Sequence, residues 1–135
     1  MFHNIVVGLK EEQPHERLLQ LTRGVAGAQA KIFLASFVQV GTYEDEPARL
    51  KRMERQLEQH AASLREEGFD VTHEVGLIAV AAAGELLRLT RERDADLLVI
   101  GLAKRTRVGK ALMGSDAQRA LLGSGCPVLV TRLYR

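Results

Sequence analysis

Four continuous apolar runs punctuate the chain: Asn4–Leu9, Lys31–Val38, Asp96–Gly101 and Pro127–Thr131. Short runs rich in Val, Ile and Leu fit strands covered on both faces, as in a parallel sheet between helices. A fifth run differs. Val71, His73 and Val75 alternate with Asp70, Thr72 and Glu74, the pattern of a strand with one wet face, which places residues 70–75 at a sheet edge.

Helical periodicity fills the gaps. Between Pro47 and Glu67, Leu50, Met53, Leu57, Ala61 and Leu64 recur at steps of three or four, one apolar stripe stopped by Gly68. Pro14–Ala26 opens with a proline suited to a first turn and presents Leu18, Leu21 and Val25 on one side. Val80–Arg93 shows Ala83, Leu86, Leu87 and Thr90. A last helix is expected from Ser115, because Ser115-Asp-Ala-Gln118 has the form of a capping box. Five strands alternating with four helices describe an α/β domain with a parallel sheet and helices on both faces. Ligands of such sheets sit beyond the carboxyl ends of the strands, where the winding reverses.

Composition narrows the class. The 135 residues carry 19 Lys+Arg, 17 Asp+Glu and 46% hydrophobic residues, which fits one domain over residues 1–135 with a real core. The longest charge-free apolar stretch, Val75–Gly84, has ten residues, far short of the roughly 20 a transmembrane helix needs, and the first residues lack the form of a secretory signal. A lone Cys126 permits no internal disulfide, so a cytoplasmic location is expected. The net charge of +2 hides an asymmetry. Residues 1–101 hold 12 basic and 16 acidic side chains, whereas 102–135 hold 7 and 1. Without aromatics interleaved among these charges, no nucleic acid partner is expected.

Candidate chemistry is sparse. His3, His15, His60 and His73 lie on separate elements without metal-ligand spacing, and no serine sits in a nucleophile elbow. Asp94 and Asp96 flank a strand start, the wrong end of the sheet for catalysis. One segment stands out. From Gly101 the chain crosses a loop carrying Lys104, Arg105, Arg107 and Lys110 and returns through Gly114-Ser115 at a helix start. Free N–H groups and the helix dipole there can hold an anion. A solvated basic loop with Gly114-Ser115 as a plain cap fits the residues equally well. Asp116 weighs against phosphate, because its carboxylate competes for the same positive end.

Taken together, Asn4-Ile-Val-Val, Ala30-Lys-Ile-Phe-Leu, Asp94-Ala-Asp-Leu-Leu-Val-Ile-Gly101, Gly114-Ser115 and Cys126-Pro-Val-Leu-Val130 resemble the universal stress protein family over nearly the whole chain. The resemblance implies a Rossmann-like, adenine nucleotide alpha hydrolase-like sheet of order 3-2-1-4-5. It also implies a homodimer joined through the last strand, here Val128 to Leu133. Nucleotide-binding members of the family hold phosphates with a motif G-x2-G-x9-G-S/T. Gly101, Gly114 and Ser115 match it here, but Lys104 replaces the second glycine. Lys10 stands where ATP-binding members usually carry an aspartate, and the backbone of Val38 is the counterpart of the segment facing adenine. The third-strand turn common in the family is replaced by Ala79-Val-Ala81.

These departures imply a degenerate crevice for ATP, another nucleotide or another anion, with reduced ATP affinity. The alternative is a dimeric interaction module without nucleotide. An enzyme would need an acid, a base or a metal carboxylate at the strand ends. Leu9-Lys10, Val38, Gly76 and Gly101 supply none, so no catalytic activity is expected.

Overall fold

The computed structural model describes residues 1–11, 13–41, 45–102 and 114–133. The element order is β1 (Phe2–Gly8), α1 (Glu16–Val25), β2 (Ala26–Gln39), α2 (Glu46–Glu66), β3 (Asp70–Ile78), α3 (Ala83–Glu92), β4 (Leu97–Gly101), α4 (Ser115–Gly123) and β5 (Val128–Thr131). All strand pairs are parallel and the sheet order is β3-β2-β1-β4-β5. The expected order is therefore the observed one, with residues 70–75 on an edge strand. Among the described residues no helix is long and apolar enough to cross a membrane.

The strand period of two sorts the side chains into two layers. Ile5 and Val7 of β1, Ile32, Leu34 and Val38 of β2, and Leu97 and Val99 of β4 face α1 and α2. Val6, Phe33, Ala35, Leu98 and Ile100 face α3 and α4. In β4 every residue is buried, so neither face of its run could be polar. The stripe of α2 packs as its spacing requires, with Met53, Leu57, Ala61 and Leu64 essentially inaccessible. Arg49, one turn before Met53, continues that stripe and is buried too.

The helix starts depart from expectation. At α1 the first helical residue is Glu16, not Pro14. The start of α3 is Ala83, leaving Val80 exposed. Helix α4 does begin at Ser115 as expected, but Gly114 takes the N-cap position with no side chain to cap, so the capping box does not form. Strand β2 runs directly on from α1 and is longer than the expected Lys31–Val38. Its register against β1 shifts between Phe2↔Ala26 and Asn4↔Lys31, and Gln29 at φ 59° absorbs the irregularity.

At the amino ends of the strands, Asp96 accepts from the backbone N–H groups of His3 and Asn4, both at 2.9 Å. Asn4 answers through Nδ2 to the carbonyls of Arg93 and Asp94. These contacts join β1 to the start of β4, a structural task at the end of the sheet away from the crevice.

Candidate functional site

Neighbouring strands β1 and β4 carry connections that leave in opposite directions, and a crevice opens where they part. Its walls are Gly8, Leu9 and Lys10 after β1, Ala35 and Phe37 of β2, Ile100 and Gly101 of β4, Ala82 and Leu86 at α3, and Asp116, Ala117 and Ala120 of α4. Two helices point their amino ends at this space. The first N–H groups of α4 have no intrahelical acceptor, and their dipole favours an anion.

Of the residues picked out from the sequence, Lys10, Gly101, Gly114 and Ser115 lie at or beside this crevice. Gly114 has φ −64° and ψ 160°, so its backbone is one any residue adopts. Ser115 is exposed at the first helical position. Gly101 is glycine for a packing reason, because an added Cβ would lie 2.5 Å from Cδ1 of Leu133. Lys104, with the other basic residues of its loop, lies outside the described residues.

Val38 is not brought to the crevice. It is buried on the α1/α2 side, and its backbone lies on the β3 side of β2, in step with Val40, whose N–H donates to the Ile78 carbonyl. Phe37 occupies the wall instead. Leu9 N–H donates to Ala35 O at 2.8 Å, and pairing with β1 ends at Gly8↔Ala35. Backbone groups two residues apart point the same way along a strand, so the N–H and C=O of Phe37 face the space beyond Leu9. The parity of β2 carried this signal, since Ile32, Leu34 and Val38 share one face.

The loop after β1 is held by three elements. Lys10 Nζ lies 3.6 Å from Asp116 Oδ2 of α4, the two side chains being 45% and 19% exposed. Asp116 Oδ1 accepts from Ala83 N–H at 2.7 Å, replacing the side-chain cap that α3 lacks. Asp116 thus directs its carboxylate to the start of α3 and to Lys10, and it supplies from a helix the carboxylate that the strand ends lack. Arg49 of α2 grips Glu11 through two bonds, Nε–Oε2 at 2.9 Å and Nη2–Oε1 at 2.6 Å, and also donates to Gln39 O. Its guanidinium, chiefly by hydrogen bonding, holds the Glu11 carboxyl below the ordinary carboxylate range.

His15 completes the anchorage. Its Nε2 lies 2.8 Å from the Lys10 carbonyl, which can only accept, so Nε2 carries the proton and donates. Nδ1 of His15 then accepts from Nε2 of His60 on α2, 3.1 Å away. Burial first, and the neighbouring His15 second, lower the His60 pKa, with Glu16 opposing and Arg23 reinforcing the shift. Protonating the folded state is therefore disfavoured. The stability that His60 contributes in its neutral form is complete above the ordinary imidazole value of 6.5 and is lost as pH falls through its lower folded value. Urea unfolding between about pH 7.5 and 5 is expected to show a falling midpoint that His60→Gln flattens. An equally steep fall in the variant would assign the dependence elsewhere.

Among the described residues no three His, Cys, Asp or Glu side chains are grouped to hold a metal. What the arrangement can do is bind. A flat base could exchange one donor and one acceptor with Phe37, and an anion could sit at the start of α4 near Lys10.

Comparison with known proteins bears on this geometry. The family model described as Universal stress protein family matches residues 1–132. A curated universal stress protein of Mycolicibacterium smegmatis is 45% identical over 73 residues, 53% of this chain and 54% of that protein. The match thus spans about half the length of that relative. The solved structure of the universal stress protein from Archaeoglobus fulgidus superposes with a TM-score of 0.73 at 21% identity, covering 96% of this chain and 98% of that one. The structure of the Archaeoglobus fulgidus universal stress protein in complex with dAMP gives a TM-score of 0.66 at 20% identity, over 95% and 96% of the two chains. At these identities the structural likeness is one of fold.

Proposed function

The chain belongs to the universal stress protein family, and from that premise we propose that it is a cytoplasmic stress-response binding protein rather than an enzyme. Its crevice takes an adenine nucleotide or a similar phosphate ligand, with reduced affinity for ATP. The observation carrying this reading is the convergence of Phe37, Lys10 and the amino end of α4 on one crevice. Support comes also from the dAMP held by the Archaeoglobus fulgidus protein of like fold. Reduced ATP affinity follows from Lys104 in place of the motif glycine and from a carboxylate, Asp116, already standing at the positive centre.

Thermal unfolding with and without nucleotide tests the proposal. A ligand at about 100 times its dissociation constant adds about 2.7 kcal/mol. AMP and Mg-ATP at millimolar concentration are expected to raise the midpoint, AMP the more strongly. No shift with either would favour the interaction-module reading.

The same proposal includes a homodimer through β5, the free edge opposite β3. Leu129 and Leu133 pack against the α1/α2 core, so a charge there would damage the subunit itself. The backbone gives the cleaner test. Leu98 N–H donates to Pro127 O and Leu102 N–H to Thr131 O, which leaves the N–H groups of Val128 and Val130 on the outer edge. Val130→Pro is expected to convert dimer to monomer in light scattering while the subunit stays folded. An unchanged dimeric mass would reject this interface.

A further inference from the structure

Asp116 does more than cap a helix, and the inference drawn from it rests on the nucleotide reading of the crevice. The α3 amino end, the α4 amino end and Lys10 all present positive character to one space, and the carboxylate there belongs to the chain itself. One oxygen takes Ala83 N–H at 2.7 Å and the other stands 3.6 Å from Lys10 Nζ. The carboxylate is mostly buried, whereas Lys10 is half exposed and more strongly screened by water.

We propose that Asp116 is a specificity-determining residue, a resident anion that admits a nucleoside monophosphate or a singly charged phosphodiester and disfavours a polyphosphate chain. A phosphate seated at the start of α4 lies near this carboxylate, because Asp116 is the second residue of that helix. Repulsion grows with each added ligand charge. At an effective dielectric of about 40, between the ~20 of a pair near the protein surface and the ~80 of bulk water, one charge about 6 Å away changes binding by roughly tenfold. Lys10 cannot answer a ligand fully while it answers Asp116. A polyphosphate must therefore either share the lysine or separate the pair.

The test is calorimetric titration of the full chain with AMP and with ATP, on the wild type, Asp116→Asn and Lys10→Met. Asn keeps an oxygen for Ala83 N–H and removes the charge. Asp116→Asn is expected to raise ATP affinity about tenfold and AMP affinity less, narrowing the gap between them. Lys10→Met, which leaves Asp116 without its counter-charge, is expected to widen it. The double variant Asp116→Asn/Lys10→Met should keep the part of the gain that comes from removing the negative charge and lose the part that the freed lysine adds. Binding of both nucleotides with an unchanged ATP to AMP ratio in Asp116→Asn would overturn this role while leaving the crevice as the binding site. Absence of binding by the wild type and all three variants would overturn both. ATP binding that appears only in Asp116→Asn would support the resident-anion role directly.

Discussion

Glu11→Gln is expected to lower folding stability by about 3 kcal/mol, at the low end of the range for removing one partner of a buried ion pair. In a domain of this size that corresponds to ~10 °C in Tm. The physical reason lies with the partner. Arg49 keeps its charge, with only 7% of its side chain exposed, and the substitution puts a neutral amide in place of the carboxylate that its Nε and Nη2 donate to. Arg49→Lys should not preserve the pair, since an ammonium cannot reproduce the two-pronged contact. Arg49→Met combined with Glu11→Gln should cost less than the sum of the single changes, because neither buried charge remains. Additivity in that double-mutant cycle would show that the two residues act separately. The lowered Glu11 pKa gives the pH dependence its sign. Stability from this pair is complete above the ordinary glutamate value of 4.5 and is lost as pH falls through the lower folded value.

Leu57→Ala is expected to cost about 3 kcal/mol, within the roughly 2–5 kcal/mol usual for truncating a buried leucine. Leu57 is wholly inaccessible near the middle of α2 and belongs to the core cluster formed with the sheet. The neighbouring Met53 and Ala61 sit on the same helix and hold it at its distance from the sheet, so the cavity cannot close without shifting α2 as a whole against β2 and β3. Exposed Leu122 on α4 is the control. Leu122→Ala should change stability by less than about 0.5 kcal/mol. Equal losses at the two positions would contradict the assignment of α2 as the clamp over this face. Chemical unfolding followed by circular dichroism measures both.

Much of this architecture is legible in the residues. Continuous apolar runs mark β1, β2, β4 and β5, and alternation marks β3 as an edge, because burial on one face or two is written directly into a period of two. The stripe of α2 is equally plain. Helix starts are not, since their caps come from distant residues. Nothing near Ala83 in sequence announces that Asp116 will accept its N–H. The crevice is legible in part. Glycine and serine spacing points to the start of α4, and Lys10 stands beside it as expected. Val38 is one position away from Phe37, the residue that forms the wall, and in a strand one position inverts the face. The buried pairing of Arg49 with Glu11, and of His15 with His60, leaves no local signal, because it depends on elements tens of residues apart meeting in space.

The central claim is that the space between β1 and β4 binds an adenine nucleotide. Backbone amide chemical shifts recorded as AMP is titrated into the full chain test it most directly. The predicted result is saturable change concentrated at Leu9, Lys10, Phe37, Gly101 and Ser115, with β3 and the outer face of α2 unaffected. Shifts centred elsewhere, or none at millimolar AMP, would contradict it.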